Sequence, residues 1–72
     1  MATEVYAPMA GKVVNLMVEP DSKVEEDEPI LTLEAMKMEL PVVAPVNGVL
    51  KVFKIKVGEE VESDTLLAII EE

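Results

Sequence analysis

The sequence predicts a small all-β domain, a flattened β-barrel or sandwich of two pseudo-twofold-related, four-stranded antiparallel half-sheets. Three observations predict it. Turn-forming residues recur at short intervals, the runs between them are rich in Val, Ile and Leu, and the second half of the chain repeats the first.

The turn signals come first. Pro8 and Gly11 are followed by Pro20-Asp21, Asp27-Glu28-Pro29, Pro41, Pro45, Asn47-Gly48, Gly58 and Ser63-Asp64. Between them lie Val13 to Val18, Ile30 to Leu33, Val49 to Val57 and Leu66 to Ile70. Such short β-branched runs read as strands, and no window carries a helical period. Gly11 and Gly48 are expected to supply tight turns, and Pro8 and Pro45 to break strands.

The repeat is seen by shifting the chain by 37 residues. Ala7, Pro8 and Gly11 fall on Ala44, Pro45 and Gly48. Val24, Glu25 and Asp27 fall on Val61, Glu62 and Asp64, and Glu34 falls on Glu71. Apolar positions coincide as well: Val13 with Leu50, Leu16 with Phe53, Val18 with Ile55, Ile30 with Leu67 and Leu33 with Ile70. Two similar halves most simply cover each other about a pseudo-twofold axis. Under that symmetry the counterpart of Lys37 falls at the chain ends. Lys37 is therefore expected opposite both termini, on a tight hairpin centred on Met36-Lys37 between Ile30–Ala35 and Met38–Val43.

Composition narrows the function. The chain has 72 residues, 15 acids against 6 lysines and a formal net charge of −9. One domain over residues 1–72 is expected, with a modest core. Because Tyr6 and Phe53 are the sole aromatics, that core should be Val, Leu, Ile, Met and Ala. The acidic balance disfavours nucleic acid. No apolar stretch is long enough to span a bilayer, so no membrane insertion is expected. The absence of Cys and His removes thiol and imidazole catalysis and the usual metal ligands. No secretory signal is visible, and a cytoplasmic location is the expectation. A stand-alone enzyme would need a cleft that so small a chain can hardly build.

One lysine stands out by context. A lone lysine on a hairpin is ordinarily a solubilising charge. Here Lys37 sits in Glu34-Ala35-Met36-Lys37-Met38-Glu39, at the midpoint of a duplicated β unit. Ala35 to Met38 resembles the attachment motif of biotinyl domains, the biotin carboxyl carrier domains of biotin-dependent carboxylases and decarboxylases. The resemblance extends from about Glu4 to Ile70. It implies a non-catalytic carrier with biotin linked covalently to Lys37. It implies that the ligase that attaches the group recognises Met36 and Met38, and with them Ala35, small for a close backbone approach at the turn, and Glu34 and Glu39, which are either a charge handle for the ligase or simply solvated strand-end acids. The implied partners are a biotin protein ligase, a biotin carboxylase, and a carboxyltransferase or decarboxylase subunit.

Two departures from that family pattern are visible. Asp21-Ser22 and Asp27-Glu28 stand where a Gly-containing turn is usual, although Asp tolerates the left-handed conformation. The segment between Val18 and Val24 is as short as that between Ile55 and Val61, so no protruding thumb is expected. A lipoyl carrier of a 2-oxo-acid dehydrogenase or glycine cleavage system remains a second reading, because that family shares the fold. Its motif usually has Asp before the lysine and Ala after it. An unmodified β interaction module is a third.

Overall fold

Short β-branched runs bounded by turn residues have alternating side chains to bury, and they form strands throughout the computed structural model, which describes residues 1–72. Eight strands follow in order: β1 (Ala2–Tyr6), β2 (Gly11–Leu16), β3 (Lys23–Val24), β4 (Pro29–Ala35), β5 (Met38–Val43), β6 (Gly48–Phe53), β7 (Glu60–Val61) and β8 (Leu66–Glu71). There is no helix. The strands form two four-stranded antiparallel sheets, β1-β8-β6-β3 and β5-β4-β2-β7. Pro41 lies in β5, an edge strand, where its missing N–H disturbs no inner ladder.

The 37-residue shift maps β1, β2, β3 and β4 onto β5, β6, β7 and β8, and it maps each sheet onto the other. The halves are interleaved, since each sheet takes two strands from each repeat. The repeat also survives in the turns. Asp27 and Asp64 are both left-handed, at φ 72° and 68°, and so are Asp21 and its counterpart Gly58, at 71° and 92°. The Asp27 N–H donates to the Ala44 carbonyl at 2.8 Å, and the Asp64 N–H to the Ala7 carbonyl at 2.9 Å. Each repeat thus closes the turns of the other. Aspartate at 21 takes the conformation that glycine takes at 58, as its tolerance of the left-handed region allows.

The core is aliphatic. Val13, Ile30, Leu31, Leu33, Leu50, Leu67 and Ile70 are its largest fully buried side chains, and no charged or polar residue is buried. Three sequence expectations change here. All five methionines are exposed, so the core holds Val, Leu, Ile and Ala but no Met. The strand read from Val49 to Val57 stops at Phe53, because the chain turns there to bury Ile55 beside the core. Gly11 and Gly48 open strands and are not left-handed. What matters at both is the missing side chain: a Cβ would lie 2.7 Å from the Glu34 carbonyl oxygen at Gly11 and 2.5 Å from that of Glu71 at Gly48.

The molecule measures 33 × 17 × 17 Å. The termini pair at one place, Ala2 opposite Glu71, with the Glu72 N–H donating to the Met1 carbonyl at 2.8 Å. The pseudo-twofold exchanges this Glu72–Met1 pair with Ala35–Met38, the pair that flanks Met36-Lys37. Joining Glu72 to Met1 through an added Asn-Gly should therefore close a second hairpin without strain. Urea unfolding of the cyclised chain is expected to show a gain of up to about 4 kcal/mol, the chain-entropy scale of a cross-link closing a loop of this length.

Candidate attachment turn

Strands β4 and β5 pair from Pro29↔Val43 to Ala35↔Met38, which leaves Met36 and Lys37 as a two-residue connection. A two-residue hairpin matches the sheet twist best when both central residues are left-handed. Met36 and Lys37 obey that geometry, at φ 54° and 64°. Neither is Gly, Asn or Asp, so each bears a steric penalty of about 1–2 kcal/mol. The ladder on either side must hold them there. Relieving one residue should stabilise the domain: Met36→Asn is expected to raise its unfolding free energy by about 0.5–1 kcal/mol in urea titration, since Asn enters the left-handed region more readily.

Side-chain exposure divides sharply at this turn. Ala35 is buried, at 7%, and seats the turn on the body of the sheet. Met36 is 86% and Met38 63% exposed, and Lys37 is exposed between them. None of the side-chain hydrogen bonds holds the Lys37 ammonium. Its amine is therefore free to swing and to meet a reagent from solution.

Glu34 and Glu39 lie directly opposite each other at the base of the turn, both exposed. Like charges in that relation repel. The register extends the row: Lys12 lies opposite Glu34 on β2, and Glu60 opposite Lys12 on β7. Three carboxylates and one ammonium thus cross the sheet beside Lys37. The counterpart row at the other end reads Ala2, Glu71, Val49 and Lys23, which is far less acidic. The sequence singled out Glu34 and Glu39 but missed Lys12 and Glu60. Laying the repeat on paired strands would have found them.

Neither surface groove involves the turn. One, of about 350 Å³, lies between β1 and β5 and is lined by Tyr6, Pro8, Val42, Val43 and their neighbours. There the Tyr6 hydroxyl donates to the Glu4 carboxylate, which pushes the phenol pKa above its ordinary value. The other, of about 400 Å³, lies at the β3–β6 side near Glu71 and Glu72. No group of three or more Asp or Glu side chains converges on a metal-sized site. An exposed, unhindered primary amine on a stiff turn suits covalent attachment of a flexible arm.

A family model described as "Biotin-requiring enzyme" matches residues 3–70. The chain is 48% identical over 63 residues to the methylcrotonoyl-CoA carboxylase subunit alpha, mitochondrial, of Arabidopsis thaliana, a match covering 88% of this chain and 9% of that protein. It is 50% identical over 58 residues to the biotin carboxyl carrier protein of acetyl-CoA carboxylase of Solanum lycopersicum, covering 81% and 83% of the two chains. Among solved structures, the Kluyveromyces lactis urea carboxylase superimposes with a TM-score of 0.94 at 28% identity, over 99% of this chain and 6% of that one. The lipoyl domain of the 2-oxoglutarate dehydrogenase complex of Azotobacter vinelandii superimposes with a TM-score of 0.80, also at 28% identity, over 96% and 95% of the chains.

Proposed function

Since this chain belongs to the biotin- and lipoyl-attachment family, to whose "Biotin-requiring enzyme" model nearly its whole length matches, we propose that it is a biotin carboxyl carrier with biotin amide-linked to Lys37. The observation that carries this reading is a lysine at the apex of a strained two-residue turn, exposed between two exposed methionines. A biotinyl domain is a carrier within carboxylases and is not itself catalytic.

Each residue of the turn then has a task. The Lys37 amine, freely solvated, is the nucleophile that receives the carboxyl group, and amide formation removes its positive charge. Ala35 and the β4–β5 ladder keep the point of attachment fixed. Met36 and Met38 offer adaptable apolar contacts to the enzymes that meet the turn. Glu34 and Glu39 give those enzymes a negative handle. When attached, biotin supplies the group that carries carboxylate between a biotin carboxylase and a carboxyltransferase or decarboxylase. The chain contributes the tether, which holds that group at an effective concentration on the order of millimolar near a partner's site. A biotin protein ligase, a biotin carboxylase and a carboxyltransferase or decarboxylase subunit are its partners in this reading.

The lipoyl reading has the shared fold in its favour, and the residues beside Lys37 weigh against it. Incubation with a biotin ligase and, separately, with a lipoate ligase distinguishes the two by intact mass. The expected result is biotin taken up and lipoate refused. Met36→Asp combined with Met38→Ala should shift uptake toward lipoate. Uptake of lipoate alone by the unaltered chain would replace the biotin reading.

A further inference from the structure

Gly11 opens β2 beneath the far end of β4. A Cβ built there would lie 2.7 Å from the Glu34 carbonyl oxygen, 3.4 Å from its carbonyl carbon and 3.5 Å from the Ala35 Cβ. The obstacle at the shortest distance is backbone, which cannot step aside as a side-chain end can. The two residues it would displace are those from which the chain enters the Met36-Lys37 turn.

That turn is held against its own preference. Met36 and Lys37 stay left-handed because the strands on either side over-determine their position. Close seating of Glu34 and Ala35 on β2 is part of that restraint. We propose that Gly11 is a positioning residue for attachment at Lys37: its missing side chain lets β2 clamp the end of β4, and the clamp locks the strained turn in the shape that presents the amine. The proposal rests on Lys37 being the attachment point.

The pseudo-twofold provides an internal control. Gly48 is the counterpart of Gly11, and a Cβ there would lie 2.5 Å from the Glu71 carbonyl oxygen and 2.8 Å from the Ile70 Cγ2. It clamps the end of β8, where the chain termini lie instead of a turn. Packing at the two glycines is equivalent in kind. Only one of them is coupled to Lys37.

The experiment compares Gly11→Ala with Gly48→Ala at a temperature where circular dichroism shows both folded. In Gly11→Ala the amide NMR resonances of Ala35 to Met38 should move, and the kcat/KM of a biotin ligase for the domain should fall on the order of tenfold, chiefly through kcat, as small misplacements of reacting groups lower rates. In Gly48→Ala those resonances should stay in place, with kcat and KM unchanged. If either alanine variant does not fold, native-state hydrogen exchange of the unaltered domain decides: the Ala35 and Met38 amides should open together with the Lys12–Glu34 pairing of β2 and β4, and exchange at the turn far ahead of that pairing would overturn the proposal. Equal behaviour of Gly11→Ala and Gly48→Ala would overturn it while leaving attachment at Lys37 intact. Failure of the unaltered domain to be labelled would overturn the attachment reading instead.

Discussion

Leu33→Ala should remove about half of the domain's folding stability. Leu33 is fully buried in the middle of β4, the strand that joins β2 to β5. Truncating such a leucine removes about 2–5 kcal/mol through lost transfer free energy and the cavity left behind. A domain of 72 residues has roughly 4–11 kcal/mol in total at the usual stability per residue. The core holds no buried polar group and no disulfide to compensate. Urea unfolding should show a midpoint far below that of the unaltered protein. Val57→Ala, at an exposed position, should change stability by less than about 0.5 kcal/mol. Similar losses for the two would contradict the core described above.

Lys37→Arg should abolish attachment entirely while leaving the fold unchanged. Arginine preserves the charge and the long aliphatic stem, and position 37 is exposed with no hydrogen bond to lose. The guanidinium stays protonated at any accessible pH and does not acylate as an amine does. The other five lysines cannot substitute. Lys12, Lys23 and Lys51 lie within strands, and Lys54 and Lys56 follow β6. None of them sits at the apex of a two-residue hairpin. Intact mass after exhaustive incubation with a biotin ligase should show no added biotin on Lys37→Arg, with a circular dichroism melt matching that of the unaltered chain.

Much of this was legible in the sequence because a β repeat constrains position as well as class. Pairing Asp27 with Asp64 aligned the turns, pairing Val24 with Val61 aligned core positions, and the midpoint of the repeat located Lys37, whereas the strands β1, β3 and β7 were not legible. The two-residue turn followed from strands that run up to Ala35 and resume at Met38. What the residues alone did not reveal depends on distances across the fold. A glycine in a turn and a glycine under a neighbouring carbonyl look alike as letters, so Gly11 and Gly48 were read as turn formers. Methionine is apolar, and nothing local says that all five would lie outside the core. The interleaving of the two repeats, and with it the Glu39–Glu34–Lys12–Glu60 row, comes from strand order, which a repeat alone does not specify. The bend after Phe53 arises because Ile55 has an apolar place to fill, a tertiary demand on a run of residues that would otherwise continue as strand.

The central claim is that one lysine of six is an attachment point because of the turn that presents it. Its most direct test is a peptide map of the unaltered protein after exhaustive incubation with a biotin ligase and free biotin. One equivalent of biotin is expected, on Lys37 alone, with the other five lysines unmodified. Biotin spread over several lysines, placed on any lysine other than Lys37, or absent from the folded protein would contradict it.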